Sequence, residues 1–179
     1  MLLGLVLEAA TGQSYSDLVA ELLTGPLGLD HTTIALTGDA NPAIVDCYAA
    51  DGVTNLTGSM DPSMGWAAGA GVSTPADLAR WAVALYGGEV LSEDALRRMT
   101  TPVTLTDGTP VEHGIGAFVE TDGVDSLYDH TGGFEGYQTY MYYWEADDVA
   151  VVVLANQLEV DLRDLAAYGW SVPLDFEHP

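Results

Sequence analysis

The stretch of sequence that decides the fold spans residues 130–137 and reads His130-Thr131-Gly132-Gly133-Phe134-Glu135-Gly136-Tyr137. It places a basic residue directly before three small ones, and a segment rich in aromatic residues follows at once. The paired glycines predict a turn at Gly132-Gly133, between the histidine and the next strand. Histidine is the side chain that changes charge most readily near neutral pH, so His130 is a candidate for proton transfer.

The segments on either side of this stretch are rich in β-branched and aromatic residues, which favour strands. The patterns predict three strands, a turn and a closing helix. The strands are predicted at His113–Glu120, Gln138–Trp144 and Val149–Leu154, and the turn at residues 145–148. The helix is predicted from about Val160 to Tyr168.

The first half of the chain carries helix signals instead. Gly12 is placed as a C-cap glycine, Ser14 as the N-cap of a second helix that ends at Gly25-Pro26, and Thr74-Pro75 as the start of a third. Residues 30–65 are expected to be irregular. Helices, then an antiparallel meander, then a helix predict an α+β fold. The length of 179 residues fits one domain, with a mainly helical part over 1–110 and strands plus a C-terminal helix over 111–179.

The charge balance is strongly acidic, with 27 Asp and Glu against 4 Lys and Arg, a formal net charge of -23. All four basic residues are arginines. Such a charge disfavours binding to nucleic acid and to anionic membranes. A scattered acidic surface without lysine suits a protein from a high-salt organism, since salt screens the self-repulsion.

Four stretches, taken together and in order, resemble the β-lactamase and penicillin-binding-protein superfamily, including its esterase and D-aminopeptidase branches. The segment from His130 to Gly132 is similar to the family's third motif. The helix from Leu2 to Gly12 resembles the helix after the second motif. The other two stretches are Pro26-Leu27-Gly28-Leu29 and Gly69-Ala70-Gly71-Val72-Ser73-Thr74 running into Asp77-Leu78-Ala79-Arg80.

This resemblance implies a partial β-lactamase/transpeptidase-like fold and an acyl-enzyme chemistry on β-lactams, esters or D-amino-acid peptides. It assigns a catalytic role to His130 and a substrate-binding role to Thr131, Gly132 and Gly133. The family chemistry needs no cofactor and no metal. Small residues at the motif let a substrate backbone approach the strand edge, as a peptide adds to a sheet.

Two family motifs are absent. The chain has no lysine, which excludes Ser-x-x-Lys, and no tyrosine is followed two positions later by asparagine. We therefore expect the chain to be the C-terminal portion of such a hydrolase, beginning just after the second motif and inactive alone. The alternatives are a non-catalytic scaffold, a half-protein that binds another chain, or an acidic domain without a site.

The continuous apolar run at Val149–Leu154 suits a strand buried on both faces. Without its family partner strand, this edge is expected to recruit a copy of the chain or the N-terminal half of the enzyme. The N-terminal helix folding over the gap is the alternative. A small-molecule acyl substrate is expected only for the complete enzyme.

The sequence does not carry the motifs of other hydrolase or zinc chemistries, and it does not determine the compartment. The chain has no Gly-x-Ser-x-Gly elbow, and Glu112-His113 lacks the His-Glu-x-x-His zinc pattern. Asp129 and His130 are neighbours, but neighbours on a strand point to opposite faces. Cys47 is the single cysteine, which excludes an internal disulfide. The start, Met1 to Leu7, is too short for a membrane span, and the compartment, cytoplasmic or exported, stays open.

Salt should stabilise the folded chain. Raising the ionic strength from physiological to molar shortens the Debye length from about 8 Å to about 3 Å and screens the repulsion among the acidic residues. We expect a higher unfolding midpoint by circular dichroism in molar potassium chloride than in dilute buffer. Sucrose at equal osmolality is the control. An unchanged midpoint across this range of salt contradicts the expectation.

Overall fold

The computed structural model describes residues 1–35, 44–122 and 125–171. Its helices come first, then an antiparallel sheet, then a helix, and the predicted α+β fold is confirmed. The predicted single domain over 1–179 includes residues 172–179, with His178, which lie outside the described part.

The N-terminal helices begin and end largely at the predicted caps. Helix α1 (Leu2–Thr11) ends at Gly12, whose φ of 73° suits glycine, and Ser14 caps α2 (Tyr15–Val19) by accepting from the Asp17 amide. The predicted stop at Gly25-Pro26 is wrong. A π-helical turn and α3 (Gly25–Leu27) continue the helix to Gly28, since Pro26 is compatible with the first turn of a helix.

A short two-stranded ribbon and two further helices complete the first half. Strand β1 (Thr33–Ile34) pairs with β2 (Gly71–Val72), and α4 (Pro75–Tyr86) and α5 (Glu93–Thr100) follow. Thr74 accepts from the Asp77 amide, which confirms the predicted N-cap. The buried Asp77 carboxylate in turn accepts from Thr32 Oγ1 at 2.8 Å, joining α4 to the segment before β1.

The second half is an antiparallel sheet with strand order β3-β4-β5-β6. The strands are Phe118–Asp122, Asp125–Phe134, Tyr137–Trp144 and Val149–Ala155, and helix α6 covers Leu162–Ser171.

Three sequence predictions about this sheet are corrected. The predicted strand at His113–Glu120 starts only at Phe118. Strand β4 was missing from the strands predicted by residue pattern, although the resemblance placed the motif on a strand edge; it contains Gly132-Gly133, which therefore form no turn. The turn falls at Glu135-Gly136, because β4 pairs with β5 up to Phe134 opposite Tyr137.

The sheet is covered on both faces. On one face α4 packs against the sheet, and the core there contains Ala82, Leu85, Tyr86, Ala117, Val119, Tyr128 and Tyr143. On the other face α6 packs against β5 and β6, and the core contains Tyr140, Tyr142, Leu162 and Ala166. The aromatic residues of β5 therefore fill both cores, as expected for a strand whose side chains alternate between the two faces.

Several apolar side chains of the helices are exposed. Leu22 of the second helical segment and Leu165 of α6 are 62% and 49% exposed, because their helices turn these positions away from the described core. Helix α1 contacts Trp66 and Ala67 through Gly4, while Leu2 and Leu3 are more than 70% exposed. The described helices include none that is both long and apolar enough to cross a bilayer.

Candidate functional site

Strand β4 carries the candidate motif at a free sheet edge. Its pairing with β3 ends at Asp129, opposite Phe118, whereas its pairing with β5 continues to Phe134. Among the described residues, no strand pairs with the outer side of residues 130–134. The backbone groups on that side are therefore open to an extended ligand.

The His130 side chain is exposed at this edge, and one of its ring nitrogens is engaged. Nδ1 lies 2.6 Å from the carbonyl oxygen of Thr131. Because a carbonyl only accepts, Nδ1 must carry the proton in this hydrogen bond. Nε2 is then the nitrogen left to accept or return a proton. The Phe118 ring lies 5.7 Å from the imidazole, centroid to centroid.

Asp129 and His130 do not form a catalytic pair. His130 is opposite Met141, which packs on the α4 face, whereas Asp129 is opposite Tyr142, which packs on the α6 face. Asp129 is 0% exposed. The strand alternation places the two side chains on opposite faces.

The predicted substrate-binding residues lie along the same edge. Thr131, Gly132 and Gly133 are exposed. Thr131 and Gly132 also line an open cleft of about 400 Å³ between the β4–β5 hairpin and the start of α6. The remaining lining residues are Gln138, Thr139, Tyr140, Glu159, Val160, Asp161, Leu162 and Arg163. The structure thus places His130 on one face of the strand and Thr131 on the cleft side.

The chain's own packing does not require glycine at positions 132 and 133. A Cβ at Gly132 would meet its nearest neighbour, Thr139 Cβ, at 3.5 Å, and one at Gly133 would meet the Tyr137 carbonyl at 4.0 Å. Both are ordinary contacts. Gly136 is different, since a Cβ there would lie 2.9 Å from Cys47. Gly132 and Gly133 therefore have room for a side chain among the described residues.

The turn of the β4–β5 hairpin is held by the irregular segment that contains Val45 and Met60. Glu135 has a φ of 57° and its carboxylate accepts from the Met60 amide at 2.9 Å. The Tyr137 hydroxyl donates to the Val45 carbonyl at 2.7 Å, and burial raises the pKa of Tyr137. These contacts fix the end of the motif strand from outside the sheet.

Sequence reasoning missed two residues of this site. Phe118 contacts the His130 ring, and Arg163 reaches Asp129 behind the motif. No local sequence pattern identifies Phe118 or Arg163 as part of the site. The rarity of arginine in so acidic a chain could have pointed to Arg163. Within the described ranges, no three His, Cys, Asp or Glu residues lie close enough together to hold a metal ion.

The fold is part of the β-lactamase and penicillin-binding-protein fold. The family model described as Beta-lactamase matches residues 1–172, and the chain belongs to this family. The chain is 23% identical to a D-aminopeptidase from Gluconobacter oxydans, over 96% of this chain and 33% of that protein. It is 26% identical to penicillin-binding protein 4* from Bacillus subtilis, over 89% and 38%. The chain thus spans little more than a third of these curated relatives.

Solved structures agree with this assignment. A D-amino acid amidase from Ochrobactrum anthropi, complexed with L-phenylalanine amide, is 27% identical with a TM-score of 0.72 and covers 87% of this chain and 47% of its own. A penicillin-binding protein from Bacillus halodurans, 22% identical, has a TM-score of 0.78 over 94% and 52% and supports the fold.

Alanine substitution at two glycines tests this geometry. Gly132→Ala should leave the free energy of unfolding within about 0.5 kcal/mol or raise it slightly, because a Cβ fits and the unfolded chain loses freedom. Gly136→Ala should lower it by about 1–3 kcal/mol through overlap with Cys47. Denaturant unfolding in molar salt measures both. Equal losses at the two positions contradict the described packing.

Proposed function

We propose that this chain forms the third-motif part of the active site of a serine hydrolase that cleaves amide bonds of D-amino acids. The names of its relatives, D-aminopeptidase and D-amino acid amidase, support this substrate class. β-Lactams and esters are the alternative acyl substrates that the family chemistry admits.

The observation that carries the proposal is the unpaired edge of β4 beside Gly132 and Gly133, where a Cβ would make only ordinary van der Waals contacts. A substrate backbone adding along residues 131–133 satisfies the open backbone groups, and side chains there would only obstruct it. The cleft bordered by Thr131 and Gly132 offers space for the group on one side of the scissile bond.

The proposed chemistry is acyl transfer through serine. The serine Oγ bonds to the substrate carbonyl carbon, the C–N bond breaks, and the amine leaves with a proton. Water then cleaves the acyl-serine ester and restores the serine. With Nδ1 bound to Thr131, His130 Nε2 takes up or gives back a proton beside the reacting amide.

The nucleophile and the base come, in this proposal, from residues outside these 179. The chain has no lysine for Ser-x-x-Lys and no Tyr-x-Asn. A serine without such a partner is a weak nucleophile. We therefore propose that the chain by itself is inactive.

Activity should appear only when the missing groups are supplied. The purified chain should show neither a burst with a chromogenic β-lactam nor release of nitroaniline from D-phenylalanine p-nitroanilide. Mixing it with the part of the Ochrobactrum anthropi amidase that this chain does not cover should restore hydrolysis. His130→Ala should then lower kcat about 100-fold.

His31→Ala is the matched control, because the His31 ring is 74% exposed and belongs to the ribbon region. Turnover by the chain alone that His130→Ala abolishes contradicts the inactivity. Restored turnover that His130→Ala leaves unchanged contradicts the role of His130.

A half-protein that binds another chain is the second proposal, and β6 favours it. Strand β6 pairs with β5 on one side and, in the described part of the chain, with no strand on the other. Helices α4 and α6 cover its two faces. An uncovered hydrophobic strand edge is a template for pairing, with a copy of the chain or with an N-terminal half.

Association through β6 should be visible in amide exchange. In molar salt, light scattering should show dimers or larger species at high concentration, and part of the β6 amides should gain protection as they form. Leu3→Glu on exposed α1 is the control for association through that helix. A monomer at all concentrations with every β6 amide already protected contradicts the proposal.

A further inference from the structure

Asp129, directly before His130, is a buried carboxylate. Its side chain is 0% exposed, and among the described residues neither of its oxygens has a hydrogen-bond partner. Burial raises its pKa, while the positive charge of Arg163 lowers it. A buried carboxylate without a compensating charge is strongly destabilising, so its cation partner matters for this part of the fold.

That partner is a guanidinium that touches three neighbouring strands. From the first turn of α6, Arg163 Nη2 lies 3.6 Å from Asp129 Oδ1 of β4, and Nη1 lies 3.5 Å from Glu120 Oε1 of β3. Its Cζ lies 5.1 Å from the ring centroid of Tyr140 in β5. One side chain thus contacts residues of three neighbouring strands beside the motif.

The side chains that Arg163 contacts lie next to the candidate site. Tyr140 is opposite Thr131, whose carbonyl accepts the hydrogen bond from His130 Nδ1. Arg163 and Thr131 also line the same cleft. A local change in the β4 backbone at Asp129 would therefore alter the position of the Thr131 carbonyl relative to the His130 ring.

Electrostatics makes this contact costly to lose. The chain has four cations against 27 acidic residues, and without Arg163 the Glu120 and Asp129 carboxylates would face each other without compensation. Salt screens exposed pairs but affects the buried Asp129 less. The guanidinium fork is suited to several partners at once, which an ammonium is not.

We propose that Arg163 is a positioning residue, which holds Asp129, Glu120 and Tyr140 so that strand β4 presents His130 and Thr131 to substrate. The proposal rests on the function proposed above for this strand. In this proposal Arg163 acts from the α6 face of the sheet, opposite to His130, and does not contact a reacting atom.

The test uses Arg163→Met, Arg163→Lys, Asp129→Asn and the double variant Arg163→Met with Asp129→Asn. Arg98→Met in α5 is the matched control, since it removes the same charge from an exposed side chain that does not pair with Asp129 or Glu120. Nitrogen-15 spectra of the His130 ring report its tautomer, and amide exchange reports local opening of the motif strand. Both measurements are made on the chain alone in molar salt.

Arg163→Met should reduce the share of the Nδ1–H tautomer of His130 and speed amide exchange at Thr131 and Gly132 about tenfold or more. The double variant should recover most of the loss, because the Asp129→Asn change leaves no buried charge unpaired. Arg163→Lys should fall between wild type and Arg163→Met. If Arg163→Met does not fold, the double variant and Arg163→Lys carry the same comparison.

An unchanged His130 tautomer in the folded variants, with exchange raised uniformly or no more than in Arg98→Met, overturns the proposal and leaves a purely structural ion pair. Activity of the mixture of this chain with the uncovered part of the Ochrobactrum anthropi amidase separates the two proposals. An inactive wild-type mixture together with the tautomer change refutes the proposed function and keeps Arg163 as a positioning residue. An active mixture whose kcat Arg163→Met leaves intact refutes the positioning role.

Discussion

The pairing of strand β4 is the constraint on which the rest of the site depends. Strand β5 pairs with β4 as far as Phe134, but β3 pairs with β4 only as far as Asp129, which lies opposite Phe118. Among the described residues, a strand therefore pairs with one side of the motif and with none of residues 130–134 on the other side. Strand alternation then sends His130 to the α4 face and Asp129 to the α6 face, so one short segment serves both an open edge and a buried charge.

Charge sets the second constraint. The chain has 27 acidic residues and four arginines, so the position of each arginine determines where repulsion between carboxylates is reduced. Arg97 pairs with Asp94 on the surface of α5, where such a pair contributes little. Arg163 lies against a carboxylate that is fully buried. The same type of ion pair thus has a different weight in the two places, because burial decides how much water would otherwise screen it.

Much of the site was predictable because its signals are local. The motif from His130 to Gly133 was identified from residue types in sequence, and the helix starts at Ser14 and Thr74 from their capping pattern. The same local logic failed at Gly132-Gly133, where glycines indicated a turn. There the cross-strand pairing with β5 overrides the turn preference, and the turn moves to Glu135-Gly136.

The sequence by itself determined the α+β class, the family and the absence of Ser-x-x-Lys and Tyr-x-Asn. Only the tertiary structure decided that the pairing of β3 with β4 ends at Asp129, that His130 Nδ1 donates to Thr131, and that Arg163 reaches three strands. The physical reason is range. Caps, strand periodicity and motifs act between residues a few positions apart, whereas an open sheet edge and a buried ion pair arise from elements that meet only when the chain folds.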